Sequence, residues 1–183
     1  INEYGATLLD AGVVKAAGTG RIVLDNSKQS ERLHRILDKA GLAVEASPDI
    51  SSLIWQKLLI NAVINPLATL FEVPNGSLLD SPRLQAIMSM LCWEIVGLYE
   101  CMGIKLPSID PFAEINKVIE GTRTNYCSML QDYQRGTKPE LDQITGALIK
   151  QAKVHGFSMP YNAMMCEIMR EKFALKLPAV TDR

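Results

Sequence analysis

The chain has no excess of either charge: 19 Lys and Arg stand against 20 Asp and Glu, a net charge of −1 over 183 residues. That balance removes the general electrostatic reason to gather on phosphate backbones or anionic lipid, so no nucleic acid and no membrane is expected as a partner, and a small molecule is. Histidine is nearly absent, with only His34 and His155, and the four cysteines, Cys92, Cys101, Cys127 and Cys166, contain no C-x-x-C pair. Such spacing specifies no metal site. Scattered cysteines in apolar surroundings read as small buried hydrophobes in a reducing cytoplasm, without disulfides. No long hydrophobic run goes uninterrupted: the most apolar stretch, Leu58 to Phe71, is broken by Asn61, Asn65 and Pro66 and reads as a core helix too short and polar to span a bilayer. Residue 1 is Ile and no charged-then-apolar leader follows, so the chain reads as a piece of a longer one.

What is present is ordinary globular material, 48% hydrophobic and 21% charged, enough to bury at least one sizeable core. Residues 1 to about 48 are β-leaning. Val13 to Ala17, the turn Gly18-Thr19-Gly20 and the return Arg21 to Leu24 predict a hairpin. Ser27 can cap a helix carrying Leu33, Ile36 and Leu37, Gly41 can end it, and Leu42-Ala43-Val44 predicts one more short strand. From 49 to 183 the pattern is helical. A helix from about residue 50 to Asn65 should bend or end at Pro66. Ser81-Pro82 opens a long core helix that Gly103 stops, Asp110-Pro111 opens one that stops at Gly121, and Thr124 to Arg135 ends at Gly136. Pro139 to His155 ends at Gly156, and Pro160 opens the last helix.

Two groups could carry chemistry. Lys57, Asn61 and Asn65 are spaced four apart and share one face of an otherwise apolar helix, where an ammonium and two amides need partners. Two amides serving a neighbouring loop and a lysine snorkelling to solvent would account for them equally well. A desolvated lysine, however, can donate a proton near neutrality, and amides can orient hydroxyl or carboxylate oxygens. The second group is Asn125 to Asp132 with Gly136-Thr137-Lys138-Pro139-Glu140-Leu141-Asp142. Thr137-x-x-Glu140 reads first as a capping box, although the same carboxylate at a positive helix end could reach a ligand hydroxyl. Gly18-Thr19-Gly20 lacks the last glycine of a dinucleotide fingerprint and runs into β-like residues, so it reads as a turn. The methionines, among them Met88, Met90, Met102, Met129, Met164, Met165 and Met169, read as core filler.

The run Leu53 to Leu67, with Asn75-Gly76 after it, resembles the central motif of the ketopantoate reductase family. Asn125 to Asp132, Glu140-Leu141-Asp142 to Gly146, and Gly156-x-x-x-Pro160-x-Asn162 resemble its later motifs, and Tyr4-Gly5-Ala6-Thr7 through Gly20 the end of its nucleotide-binding domain. The resemblance implies a mainly α chain, an all-helical substrate-binding domain over 49–183 preceded at 1–48 by the remnant of an α/β Rossmann-type NADP-binding domain. It implies NADPH-dependent reduction of ketopantoate to pantoate in the cytoplasm, on the way to pantothenate and coenzyme A. Lys57 matches the family's proton donor. Asn61, Asn65, Asn75 and Ser128 match its substrate-binding positions, Glu140 the acidic residue near substrate and nicotinamide ribose, and the backbone near Thr7 a position beside the cofactor. A homodimer is compatible with this reading. Without the G-x-G-x-x-G strand-to-helix turn, this chain alone should be inactive. The competing readings are a related reductase acting on another 2-keto or hydroxy acid, and a non-catalytic helical interaction module.

Overall fold

The computed structural model describes residues 1–16 and 20–176, which divide into two compact units, Ile1–Ile54 and one that begins at Trp55. In the first, β1 (Ala6–Asp10) and β2 (Val13–Ala16) pair antiparallel, with Asp10 opposite Val13. Their two-residue connection is Ala11-Gly12, and Gly12 takes φ 78°, open to glycine at no steric cost. β3 (Ile22–Asp25) and β4 (Val44–Ser47) pair in parallel, joined by α1 (Lys28–Lys39), a β-α-β crossover. The hairpin predicted from Val13 through Leu24 therefore does not form. The Ala11-Gly12 turn pairs β2 with the preceding strand, and β3 lies between β4 and the antiparallel Ile1–Glu3 segment, which bonds it through Glu3 N to Arg21 O and Val23 N to Ile1 O. Gly18 and Thr19, the predicted turn, lie outside the described residues.

Ser27 caps α1 as expected, its Oγ accepting from Ser30 N at 3.3 Å. No residue of α1 is buried, and Leu33 and Ile36 are exposed. Among the described side chains of this unit only Val23 belongs to a buried core.

The helical unit is built around α2 (Ile50–Phe71), which does not end at Pro66 but runs six residues beyond Asn65. Proline inside a helix costs about 3 kcal/mol. Here an unbroken buried stretch from Ala62 to Thr69 offsets that cost, since each large apolar side chain it covers contributes about 1.5–3 kcal/mol. This longer α2 is the single described helix with the length and composition to cross a bilayer, yet it supplies the centre of the protein core, with Leu59, Val63, Leu67 and Ala68 all nearly inaccessible. Around the core stand the short α3 (Ser77–Asp80), α4 (Pro82–Cys101), α5 (Pro111–Gly121), α6 (Ser128–Arg135), α7 (Leu141–Val154) and α8 (Pro160–Lys176). Ser81 and Asp110 cap α4 and α5 as predicted, and Gly41, Gly103, Gly136 and Gly156 follow their helices at positive φ. α6 starts four residues later than predicted and α7 two later. Met88, Met129, Met165 and Met169 fill the core, whereas Met90 and Met164 are exposed.

α8 is anchored by a group that spacing alone does not reveal. The carboxylate of Glu94 on α4 accepts from Tyr161 N at 3.0 Å and Asn162 N at 2.7 Å, satisfying open N–H groups of the helix start. Asn162, fully buried, donates its amide to Leu91 O and to the same carboxylate. At the other end of α2, Glu72 takes φ 54° and is held by Lys172, whose Nζ donates to Leu70 O and Glu72 Oε1.

Candidate functional site

The polar stripe of α2 passes from water into the core. Lys57 is exposed, Asn61 half-buried and Asn65 only 4% exposed. The desolvated lysine expected from sequence is not found within this chain, because close apolar packing on α2 begins at Leu59, half a turn beyond Lys57.

Asn75 sits in the turn between α2 and α3 and is buried. Its N–H donates to Asn125 O at 2.9 Å and its Nδ2 to Thr122 Oγ1 at 3.0 Å. Thr122 gives its own hydroxyl proton to Val118 O at 2.7 Å, so toward Asn75 it can only accept. The amide is thereby oriented, and its Oδ1 is left buried without a partner among the described residues. An acceptor stranded in this way costs about 1–3 kcal/mol until a donor reaches it. Beside it, Gly76 N donates to Arg123 O at 3.0 Å, and a Cβ on Gly76 would stand 2.9 Å from that oxygen. The two strands of loop touch backbone to backbone.

The same segment, Thr122 to Ser128, then reaches α2. Cys127 precedes α6 as its N-cap without a side-chain capping bond. Its Sγ turns inward instead, 3.7 Å from Asn65 O and 3.5 Å from Thr69 Oγ1. Burial pushes the Cys127 thiol pKa up, which keeps the group a protonated donor. Ser128, the first residue of α6, is exposed. Five contacts thus join the segment carrying Ser128 to the segments carrying Asn61, Asn65 and Asn75. Sequence spacing does not reveal this join, although Asn75-Gly76 marks one of its turns.

Glu140 corrects a second expectation. α7 begins at Leu141 with Glu140 itself as N-cap, and the carboxylate makes no capping bond, so the Thr137–Glu140 capping box is absent. Pro139 is buried, which sets the helix start after it, and Glu140 remains exposed. Thr7 lies in β1 opposite Lys15, and its side chain lies outside the described ones. A shallow hollow in the first unit, lined by Asp25, Ser27, Ser30, Glu31, His34 and Arg35 among others, contains none of the predicted site residues. Its Asp25 carboxylate already accepts from Ser27 N and Ser30 Oγ, so the cluster serves the start of α1. Of the cysteines, all free, Cys92, Cys127 and Cys166 are buried and Cys101 is exposed; burial pushes the Cys92 thiol up to about 12, which makes it inert.

The profile of the family described as ketopantoate reductase PanE/ApbA C terminal matches residues 49–173. A 2-dehydropantoate 2-reductase of Yersinia pestis is 33% identical over 162 residues, 88% of this chain and 51% of that enzyme. The chain therefore spans about half the length of that relative. Among solved structures, a PanE/ApbA family ketopantoate reductase from Ralstonia eutropha JMP134 superposes with a TM-score of 0.87 at 24% identity, covering 96% of this chain and 59% of that one. D-Mandelate dehydrogenase in a ternary structure with NADH and anilino(oxo)acetate gives 0.86 at 25% identity, covering 95% and 59%.

Proposed function

Because this chain belongs to the ketopantoate reductase family through its C-terminal helical domain, we propose that it forms the substrate-binding part of an enzyme that reduces ketopantoate to pantoate with NADPH. The observation that carries the reading is Asn75: an oriented amide whose acceptor oxygen is buried, without a partner among the described residues, and held beside the segment bearing Ser128. A substrate hydroxyl supplies the missing donor. Asn61 and Asn65 orient the keto acid from α2, and the Ser128 hydroxyl adds a group that both donates and accepts. Lys57, at the open end of the stripe, places a positive charge and a proton where oxygen charge develops on the carbonyl.

The residues fit the nicotinamide end of a dinucleotide. Glu140 is exposed and spared from capping its helix, which suits a carboxylate meant for a ribose hydroxyl. The bound nicotinamide supplies the hydride. Four free cysteines suit a reducing cytoplasm.

A second substrate reading has a specific basis in the likeness to D-mandelate dehydrogenase: a different 2-keto acid on the same scaffold. The test is kcat/KM for a panel of 2-keto acids with NADPH and NADH, measured on protein carrying this chain over the full length of its relatives. The proposal expects ketopantoate to lead the panel by at least about tenfold, the scale of pocket discrimination. A lead for the keto acid corresponding to mandelate, or no lead for ketopantoate, overturns the substrate assignment.

A further inference from the structure

Cys127 lies inside the Asn125–Asp132 motif and Thr69 outside every motif, and neither is itself given a chemical role there, yet both are buried and polar where α6 begins. A cysteine is a weak N-cap, since its sulfur is a poor acceptor for the helix N–H groups, and here the Met129 and Leu130 N–H groups lie toward the sulfur without a full capping bond. Its sulfur also faces α2. The distances and donors allow one directional chain: Thr69 Oγ–H to Cys127 Sγ, and Cys127 Sγ–H to the carbonyl of Asn65. That carbonyl belongs to a residue of the polar stripe, one position before Pro66, and Cys127 is covalently next to Ser128. A shift of Cys127 would carry Ser128 with it, whereas the Gly76–Arg123 and Asn75–Asn125 contacts hold only the other end of the segment.

We propose that Cys127, with Thr69, is a positioning residue that fixes the Ser128 hydroxyl relative to Asn61 and Asn65. The assignment rests on the substrate-binding reading of that site. Neither side chain touches substrate; the pair acts by setting the start of α6.

The test uses steady-state kinetics on protein carrying this chain over the full length of its relatives, with Cys127→Ala, Cys127→Ser, Thr69→Val and Ser128→Ala. Cys127→Ala should raise KM for ketopantoate by about five- to twentyfold, the binding equivalent of one misplaced hydrogen bond, with kcat and KM for NADPH each within about twofold of the parent. Cys127→Ser, which keeps a donor toward Asn65 O, should recover most of that loss, and Thr69→Val should add little to Cys127→Ala because the two act as one chain. A purely structural thiol gives another pattern: Cys127→Ala lowers the melting temperature while both KM values stay put, or Cys127→Ser is as damaging as Cys127→Ala. Either result overturns the proposal. The Ser128→Ala arm separates the two levels. If it raises KM for ketopantoate and Cys127→Ala does not, only the positioning role falls. If Ser128→Ala leaves KM unchanged, the substrate role of Ser128 falls and takes the positioning role with it.

Discussion

Replacing Gly76 by alanine tests the join between the Asn75 turn and the Thr122–Ser128 segment with a single methyl group. Gly76 has helical dihedrals, φ −58° and ψ −31°, so alanine carries no backbone penalty there. The cost is spatial: the new Cβ would stand 2.9 Å from Arg123 O, 3.0 Å from its Cβ and 3.1 Å from its Cα. Two of those atoms are backbone, and Arg123 is further restrained by ion pairs to Asp80 and Glu120, so relief requires the two loop strands to separate by about half an ångström. Overpacking of this kind costs about 1–3 kcal/mol. Stretching the Gly76–Arg123 bond costs about 0.5–1.5 kcal/mol more. Lower chain entropy in the unfolded state returns about 0.4–1 kcal/mol. The net expectation is a loss of about 2–3 kcal/mol, or a melting temperature lower by about 4–12 °C for a chain of this size. Urea denaturation followed by circular dichroism measures the first, and KM for ketopantoate should rise because Asn75 moves with the turn. An unchanged midpoint together with an unchanged KM would show that the contact is slack and that the loops are not joined as described.

Lys57→Met should lower kcat for ketopantoate by about two to four orders of magnitude, as loss of a positioned acid does, with an unchanged circular dichroism spectrum; near-normal turnover would reduce Lys57 to a solvated lysine. Asn61→Ala should weaken ketopantoate recognition by about 1–3 kcal/mol while NADPH binding changes much less, and equal losses for both ligands would point to folding instead. Lys172 holds the Glu72 carboxyl below the usual carboxylate range. A depressed folded pKa means stability present above the unfolded pKa and lost as pH falls through the folded one, so this pair's share disappears below about pH 4. Because Glu72 is half exposed, the share is at most about 1 kcal/mol, and Glu72→Gln should flatten the acid limb of the stability curve by no more than that.

Helix punctuation was legible because it is local. Ser27, Ser81 and Asp110 each place an oxygen where the next turn's N–H groups need it, whatever the rest of the chain does. Pro66 is the counterexample: a helix expected to end or bend there does not end, because the side chains around it are buried and packing outweighs propensity. The hairpin failed for a related reason. Two consecutive strands with a glycine-rich turn between them look like partners, but β3 finds its partner across a whole helix, and strand pairing at that distance leaves no mark on spacing.

The site divides along the same line. Four-residue spacing puts Lys57, Asn61 and Asn65 on one face of a helix with no knowledge of the rest of the fold, and that part needs only the period of the helix. Burial is a property of what packs against the face, which is why a lysine in a segment this apolar reads as desolvated yet stands exposed, and why the capping box at Thr137–Glu140 dissolves once Pro139 is buried. The contacts that hold the candidate residues together link positions 47, 50, 58 and 62 residues apart, through a turn with room only for glycine, an amide and a thiol. None of these has a periodicity. A sequence can therefore nominate the groups that would meet a substrate, while the groups that place them, here Gly76, Thr122, Thr69 and Cys127, become visible only when the chain has folded them against one another.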